Sequence, residues 1–129
     1  MSVGRAVLDA SAFFAYSRGE AGGDAVRDVL GGAAMSSANW AEVAQHTIRR
    51  GDNLTRLRGI VRGVGLTILS FGEADAERTA TLWPRTKHKG LSLADRACLA
   101  LAERLGAPAY TADRAWADLD VGIEIRFVR

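Results

Sequence analysis

Short apolar runs alternating with helix-period stretches predict an α/β chain, with a mostly parallel sheet of four to five strands and helices on both faces. Three observations carry that expectation. Residues 5–8 (Arg-Ala-Val-Leu) and 109–111 (Ala-Tyr-Thr) are short strand-like runs, and an aspartate closely follows each. Residues 92–105 place Ala94, Ala97, Cys98, Leu101, Ala102 and Leu105 at helical spacing. The length of 129 residues, without repeats, low-complexity segments or linkers, fits a single domain over 1–129.

The elements follow in order. The strand at 5–8 ends at Asp9, and residues 11–18 read as a helix with Ala12, Phe13 and Tyr16 on one side. Glycines break the chain at 19–23, and a short helix over 24–30 stops at Gly31-Gly32. Residues 33–35 form a short strand. Residues 37–50 form a helix on the Trp40, Val43, Thr47 stripe, ended by Gly51. A further helix spans 53–64, and a strand spans 66–69. Ser70 and Glu73 match a capping box, opening a helix that runs through Trp83 and ends at Pro84. Residues 85–90 read as a basic loop, and 123–127 alternate as a half-exposed edge strand.

Composition bounds the function. With 48% hydrophobic and 25% charged residues, the chain is an ordinary folded domain. No apolar stretch approaches a membrane span, and the first nine residues do not form a secretory leader. Cys98 is the only cysteine, so disulfide frameworks and cysteine zinc clusters are excluded and a reducing cytoplasm is expected. Cys98 itself reads as a small buried hydrophobe. A net charge of +2 does not by itself specify nucleic-acid binding. There is no glycine-rich dinucleotide fingerprint and no P-loop.

Four acids stand apart from the charge runs. Asp9 and Asp113 follow strands, where open α/β sheets bind ligands. Asp95 sits in Ser92-Leu93-Ala94-Asp95, and Glu42 lies among Ala38, Ala41 and Gln45. Singly, each has an ordinary explanation: helix capping for the aspartates, solvation for Glu42. Gathered together, four carboxylates would repel unless a cation sat among them. Oxygen donors suit Mg²⁺ or Mn²⁺, which activate water and stabilise an in-line displacement at phosphorus. Asp118 and Asp120 follow closely, as a supporting ligand or a solvated turn. His46 and His88 are isolated and read as surface residues.

The motifs Val7-Leu8-Asp9-Ala10-Ser11-Ala12, Asn39-Trp40-Ala41-Glu42-Val43, Leu91-Ser92-Leu93-Ala94-Asp95 and Tyr110-Thr111-Ala112-Asp113-Arg114 occur in an order and spacing that resembles a PIN domain, most closely the VapC toxins of toxin–antitoxin pairs. The likeness covers essentially the whole chain. It implies a three-layer α/β/α sandwich and a Mg²⁺- or Mn²⁺-dependent endoribonuclease acting on RNA. Asp9, Glu42, Asp95 and Asp113 match the family's acids, and Asp118 an additional acid found in some members. Ser11, Thr111 and Asn39 match positions that support the carboxylates. The resemblance also implies a VapB-type antitoxin as partner and inhibitor, and a homodimer.

Arg85, Lys87 and Lys89 form either a phosphate-guiding loop or a solvated turn after Pro84, while Arg96 and Arg114 either touch phosphate or pair with neighbouring acids. Arg49, Arg50, Arg56, Arg58 and Arg62 read as solvated faces on the two middle helices, where the family's antitoxin groove often forms. Trp40, Trp83 and Trp116 read as core anchors. Two other readings stay open: a PIN nuclease of RNA processing without an antitoxin, and a non-catalytic receiver-like module. A receiver needs paired early acids and a late lysine near the site, and neither is seen.

Overall fold

A computed structural model describes residues 4–129. Residues 1–3, part of the stretch read above as lacking a secretory leader, lie outside the described residues. Five strands form one sheet: β1 (Ala6–Leu8), β2 (Ala33–Ser36), β3 (Thr67–Leu69), β4 (Ala109–Thr111) and β5 (Ile125–Phe127). They lie in the order β3-β2-β1-β4-β5, and every pairing is parallel. The chain winds outward from β1 to β3, then returns to the other side of β1 with β4. That reversal puts the topological switch point between β1 and β4, where a crevice opens at the carboxyl ends of the strands.

Period-two alternation divides the core into two layers. Ala6, Leu8, Ala33, Met35 and Tyr110 face one side, against the helices α1 (Ala10–Ser17), α2 (Gly23–Arg27), α3 (Ser37–Arg49) and α4 (Leu54–Gly63). Val7, Ala34 and Ala109 face the other, against Leu82, Leu91 and the buried stripe Cys98–Ala102 of α7 (Leu93–Leu105). The expected three-layer α/β/α sandwich is therefore formed. Strands of three or four residues suffice because the three central strands are buried on both faces, while the edge strands β3 and β5 stay partly exposed.

Several boundaries differ from expectation for identifiable reasons. The box expected at Ser70 and Glu73 does not form; α5 (Glu73–Thr81) starts after Gly72, whose N–H donates to the Asp75 carboxylate at 2.9 Å. Pro84 does not end that helix. It occupies the first turn of a separate one-turn helix, α6 (Trp83–Thr86), where a missing N–H costs nothing. Lys87–Lys89 continue as a 3-10 turn, so the expected basic loop is mostly helical. Ser92 and Asp95 do form the reciprocal cap of α7, at 3.1 and 2.9 Å. Trp116 is a core anchor at 1% exposure and Trp40 packs partly buried, but Trp83 is half exposed, because the new helix turns it away from the sheet.

Helix α5 packs against α7, and two ion pairs mark the register: Arg78 with Glu103 at 2.8 Å and Asp75 with Arg104 at 3.0 Å. Rising numbers on α5 meet falling numbers on α7, so the two run antiparallel. Among the described residues, no helix is long and apolar enough to cross a membrane.

Leu99 lies fully buried in the layer beneath the switch point. Leu99→Ala is expected to lower unfolding free energy by ~2–5 kcal/mol, read from the urea midpoint. A midpoint within error of wild type would show that this layer does not carry the fold.

Candidate active site at the switch point

Asp9 is only 4% exposed, yet it is held by four hydrogen bonds. Its carboxylate accepts from the Ala12 N–H at 2.7 Å, from Ser11 Oγ at 2.7 and 2.9 Å, and from Thr111 Oγ1 at 2.5 Å. The first is the N-cap of α1. The last joins the end of β1 to the end of β4 across the switch point. Ser11 Oγ also accepts from the Ala112 N–H at 2.9 Å, and Thr111 Oγ1 from the Asp113 N–H at 3.0 Å. One small network thus fixes the exits of both strands.

Asp113 caps the 3-10 turn Arg114–Trp116 through the Ala115 N–H at 2.9 Å. Asp95 sits in the first turn of α7, oriented by its bond from the Ser92 N–H. Glu42 accepts from Asn39 Nδ2 at 3.3 Å, and the same Nδ2 donates to the Ala94 carbonyl at 3.0 Å. Asn39 is fully buried and so ties α3 to the start of α7. Both partners of its nitrogen are acceptors, which fixes the amide orientation; the opposite Oδ1 is buried without a protein partner.

Asp9, Glu42, Asp95 and Asp113 line one open pocket of about 250 Å³, with Ala10, Ser11 and Phe14. Capping and pocket lining turn out to be compatible: for each aspartate, the hydrogen bond that caps a helix also aims the carboxylate. Asp118 and Asp120 are exposed and do not line this pocket; Asp118 adopts a left-handed backbone with φ +63°. Ser11 and Thr111 touch Asp9 directly and Asn39 touches Glu42. Phe14 is the lining residue that the sequence did not point to, because it lies off the Ala12–Phe13–Tyr16 stripe.

The electrostatics are those of acids without cations. Burial raises the Asp9 pKa to about 6, opposed by its hydrogen bonds from Thr111, Ala12 and Ser11 and assisted by the charge of Asp95. Burial also raises Asp95, with repulsion from Asp113, and raises Glu42, with repulsion from Asp95. Cys98 lies fully buried; desolvation, with these same acids, pushes its thiol up, so it is no nucleophile. Among the described residues Arg96 and Arg114 form no ion pair, so neither pairs with the acids as considered above. Arg114 stacks over Phe127 at 4.6 Å, and the Nε of Arg96 is buried without a partner. Arg85 and Lys87 are exposed and Lys89 is half-buried.

This donor set fits a hard divalent cation in chemistry: all oxygen, mutually repelling, with no lysine or arginine lining the pocket. It is not a closed cage, since among the described residues no three acidic, histidine or cysteine side chains cluster tightly enough to hold one ion.

A sheet with its acids at this switch point defines a class of α/β domain with an acidic pocket at the carboxyl ends of its strands. The PIN domain model matches residues 6–122, and the chain belongs to that family. Members of the family generally use a divalent metal, and its toxins are nucleases. Among solved structures, a toxin–antitoxin complex from Klebsiella pneumoniae is similar with TM-score 0.77 at 19% identity, covering 96% of this chain and 98% of that one. The DNA-bound VapBC structure from Salmonella typhimurium is similar with TM-score 0.71 at 18% identity, covering 98% and 100%. FitAcB from Neisseria gonorrhoeae gives TM-score 0.71 at 19% identity, covering 95% and 97%. At these identities the likeness establishes the fold. No curated protein matches the chain significantly.

A carboxyl whose folded pKa lies above its unfolded value binds protons more readily in the native state. The contribution of Asp9 to stability is therefore full below about pH 4 and is lost as pH rises toward about 6. The gap from 3.8 to about 6 corresponds to ~3 kcal/mol. Melting in EDTA across that range should show the decline in wild type and a much flatter profile in Asp9→Asn. Identical profiles would contradict a strained Asp9 carboxylate.

Proposed function

We propose that this chain is the toxin ribonuclease of a VapBC-type toxin–antitoxin pair, cutting RNA phosphodiester bonds with Mg²⁺ or Mn²⁺ held among Asp9, Glu42, Asp95 and Asp113. The observation that carries the reading is the four-carboxylate pocket at the switch point, with no basic residue lining it. A divalent ion bound there supplies water activation and neutralises charge building on the phosphate. The chain's own groups do the positioning. Thr111 and Ser11 hold the Asp9 carboxylate, Ser92 holds Asp95, and Asn39 holds Glu42. The raised proton affinity of Asp9 reflects burial, and a bound cation would favour its ionised form. In this reading Arg85, Lys87, Lys89, Arg96 and Arg114 contact RNA phosphates, and Asp118, which stands outside the pocket, acts at most as a distant supporting acid.

The partner assignment is supported by a groove of about 530 Å³ beside the pocket. Phe13, Leu57 and Ile60 give it an apolar floor, while Arg18, Arg50 and Arg56 give it positive walls. That combination fits an antitoxin segment with apolar anchors and acidic side chains. Phe14 lines both groove and pocket, which places such a segment next to the catalytic acids. A homodimer belongs to the same reading.

Purified protein is expected to cleave single-stranded RNA with Mg²⁺ or Mn²⁺ and to lose that activity in EDTA. Asp9→Asn and Asp95→Asn should each reduce cleavage to the level of a no-protein control while remaining folded, since the amide oxygen in Asp95→Asn can still accept from the Ser92 N–H. Full activity in both variants, or undiminished cleavage in EDTA, would refute the assignment. Arg50→Glu with Arg56→Glu should weaken co-purification of an antitoxin encoded beside the chain, while leaving cleavage intact.

A further inference from the structure

Trp83 is half exposed on a surface helix that the fold does not need to leave bare. Its ring carries the Lys87 ammonium at 4.9 Å from the centroid. Leu82 and Thr86 are fully buried, and within the turn the Thr86 hydroxyl donates to the Leu82 carbonyl at 2.9 Å; these two side chains anchor the one-turn helix and leave Arg85 and Lys87 outside. No aspartate or glutamate occurs between Arg78 and Asp95, a stretch that contains Arg85, Lys87, His88 and Lys89. Among the described residues, Arg85, Lys87 and Lys89 pair with no carboxylate.

The placement of this patch follows from the helix register. The pairs Arg78–Glu103 and Asp75–Arg104 set α5 antiparallel to α7, so the carboxyl end of α5 meets the amino end of α7. Leu82 accordingly shares a buried cluster with Leu91 and Cys98. Residues 83–89 thus lie at the end of α7 that carries Asp95. An exposed aromatic face among unpaired cations, next to a pocket of carboxylates, matches what single-stranded nucleic acid needs: a π surface for a base and charges for the flanking phosphates.

We infer that Trp83, with Arg85, Lys87 and Lys89, is a binding platform for single-stranded RNA, stacking a base that flanks the scissile phosphate and steering the strand toward Asp95. The inference rests on the ribonuclease reading and deepens it. Trp83 is a positioning residue; it touches the strand and not the reacting atoms. Lys87 reaches the ring in the free protein and is positioned to transfer its charge to a phosphate when a base takes the ring face.

The test is binding of a fluorescein-labelled oligoribonucleotide of about 12 nucleotides, a length within the usual span of such sites, measured by anisotropy in EDTA so that cleavage does not intervene. Trp83→Ala should weaken binding by roughly 5- to 150-fold with an unchanged salt slope, and Trp83→Phe should retain most of the affinity. Replacing Arg85, Lys87 and Lys89 together by alanine should reduce the salt slope by about 2. Wild-type affinity in Trp83→Ala would overturn the platform. So would a shift of Trp83→Ala from dimer to monomer in sedimentation with RNA affinity preserved, because a second copy of the chain would then be what covers the patch. If wild type binds in a Trp83-dependent way but never cleaves RNA with Mg²⁺ or Mn²⁺, the platform stands and the ribonuclease reading falls. If it cleaves RNA but binds independently of Trp83, the ribonuclease reading stands and the platform falls.

Discussion

The hydrogen bond from Thr111 to the buried carboxylate of Asp9 is the constraint on which the rest of the site depends. It spans the one place where the winding of the sheet reverses, joining the residue just past β1 to the last residue of the paired strand β4 at the floor of the crevice. Without it a carboxylate at 4% exposure would keep only its bonds from Ser11 and the Ala12 N–H against desolvation. With Ser11 and the Ala12 N–H, it makes that burial tolerable while leaving the acid at the pocket surface. The same Thr111 oxygen takes the Asp113 N–H, so a single hydroxyl sets the positions of two acids from different strands.

Much of the fold was legible because its elements are locally consistent. The alternation of apolar runs with helical stripes, the stop at Gly51 and the Ser92–Asp95 cap survive in the structure, whereas α2 ends at Arg27, before the expected stop at Gly31-Gly32. The misreadings cluster between β3 and α7. There, Ser70 and Glu73 have the spacing of a capping box, yet the helix nucleates on Gly72 and Asp75, where Arg104 of α7 holds the Asp75 carboxylate. A tertiary ion pair outweighed a local signal. Pro84 likewise has two structural uses, terminating one helix or opening another, and sequence spacing alone does not choose between them.

The candidate site was legible in a different way. Each acid taken alone pointed to a cap or a solvated surface, and those local roles are indeed present. What sequence spacing could not show is that the caps face one another, which is a property of the sheet's winding. Phe14 escaped notice for the complementary reason: its importance lies in which cavities it borders, and helical periodicity speaks only to which side of a helix faces the core. Arg96 and Arg114 show the limit of adjacency as a guide, since each follows an acid of the pocket and neither pairs with it.

Phe14 has a further consequence. Its ring is shared by the long groove and the acidic pocket, and it is braced by the Arg18 guanidinium at 3.9 Å and the His46 ring at 5.1 Å. A ligand in the groove that prefers one placement of this ring changes the free energy of whatever occupies the pocket. Thermodynamic linkage makes that influence equal in both directions. Filling the pocket would then alter the grip of the groove on its own occupant by the same factor, so that the two cavities report one shared ring.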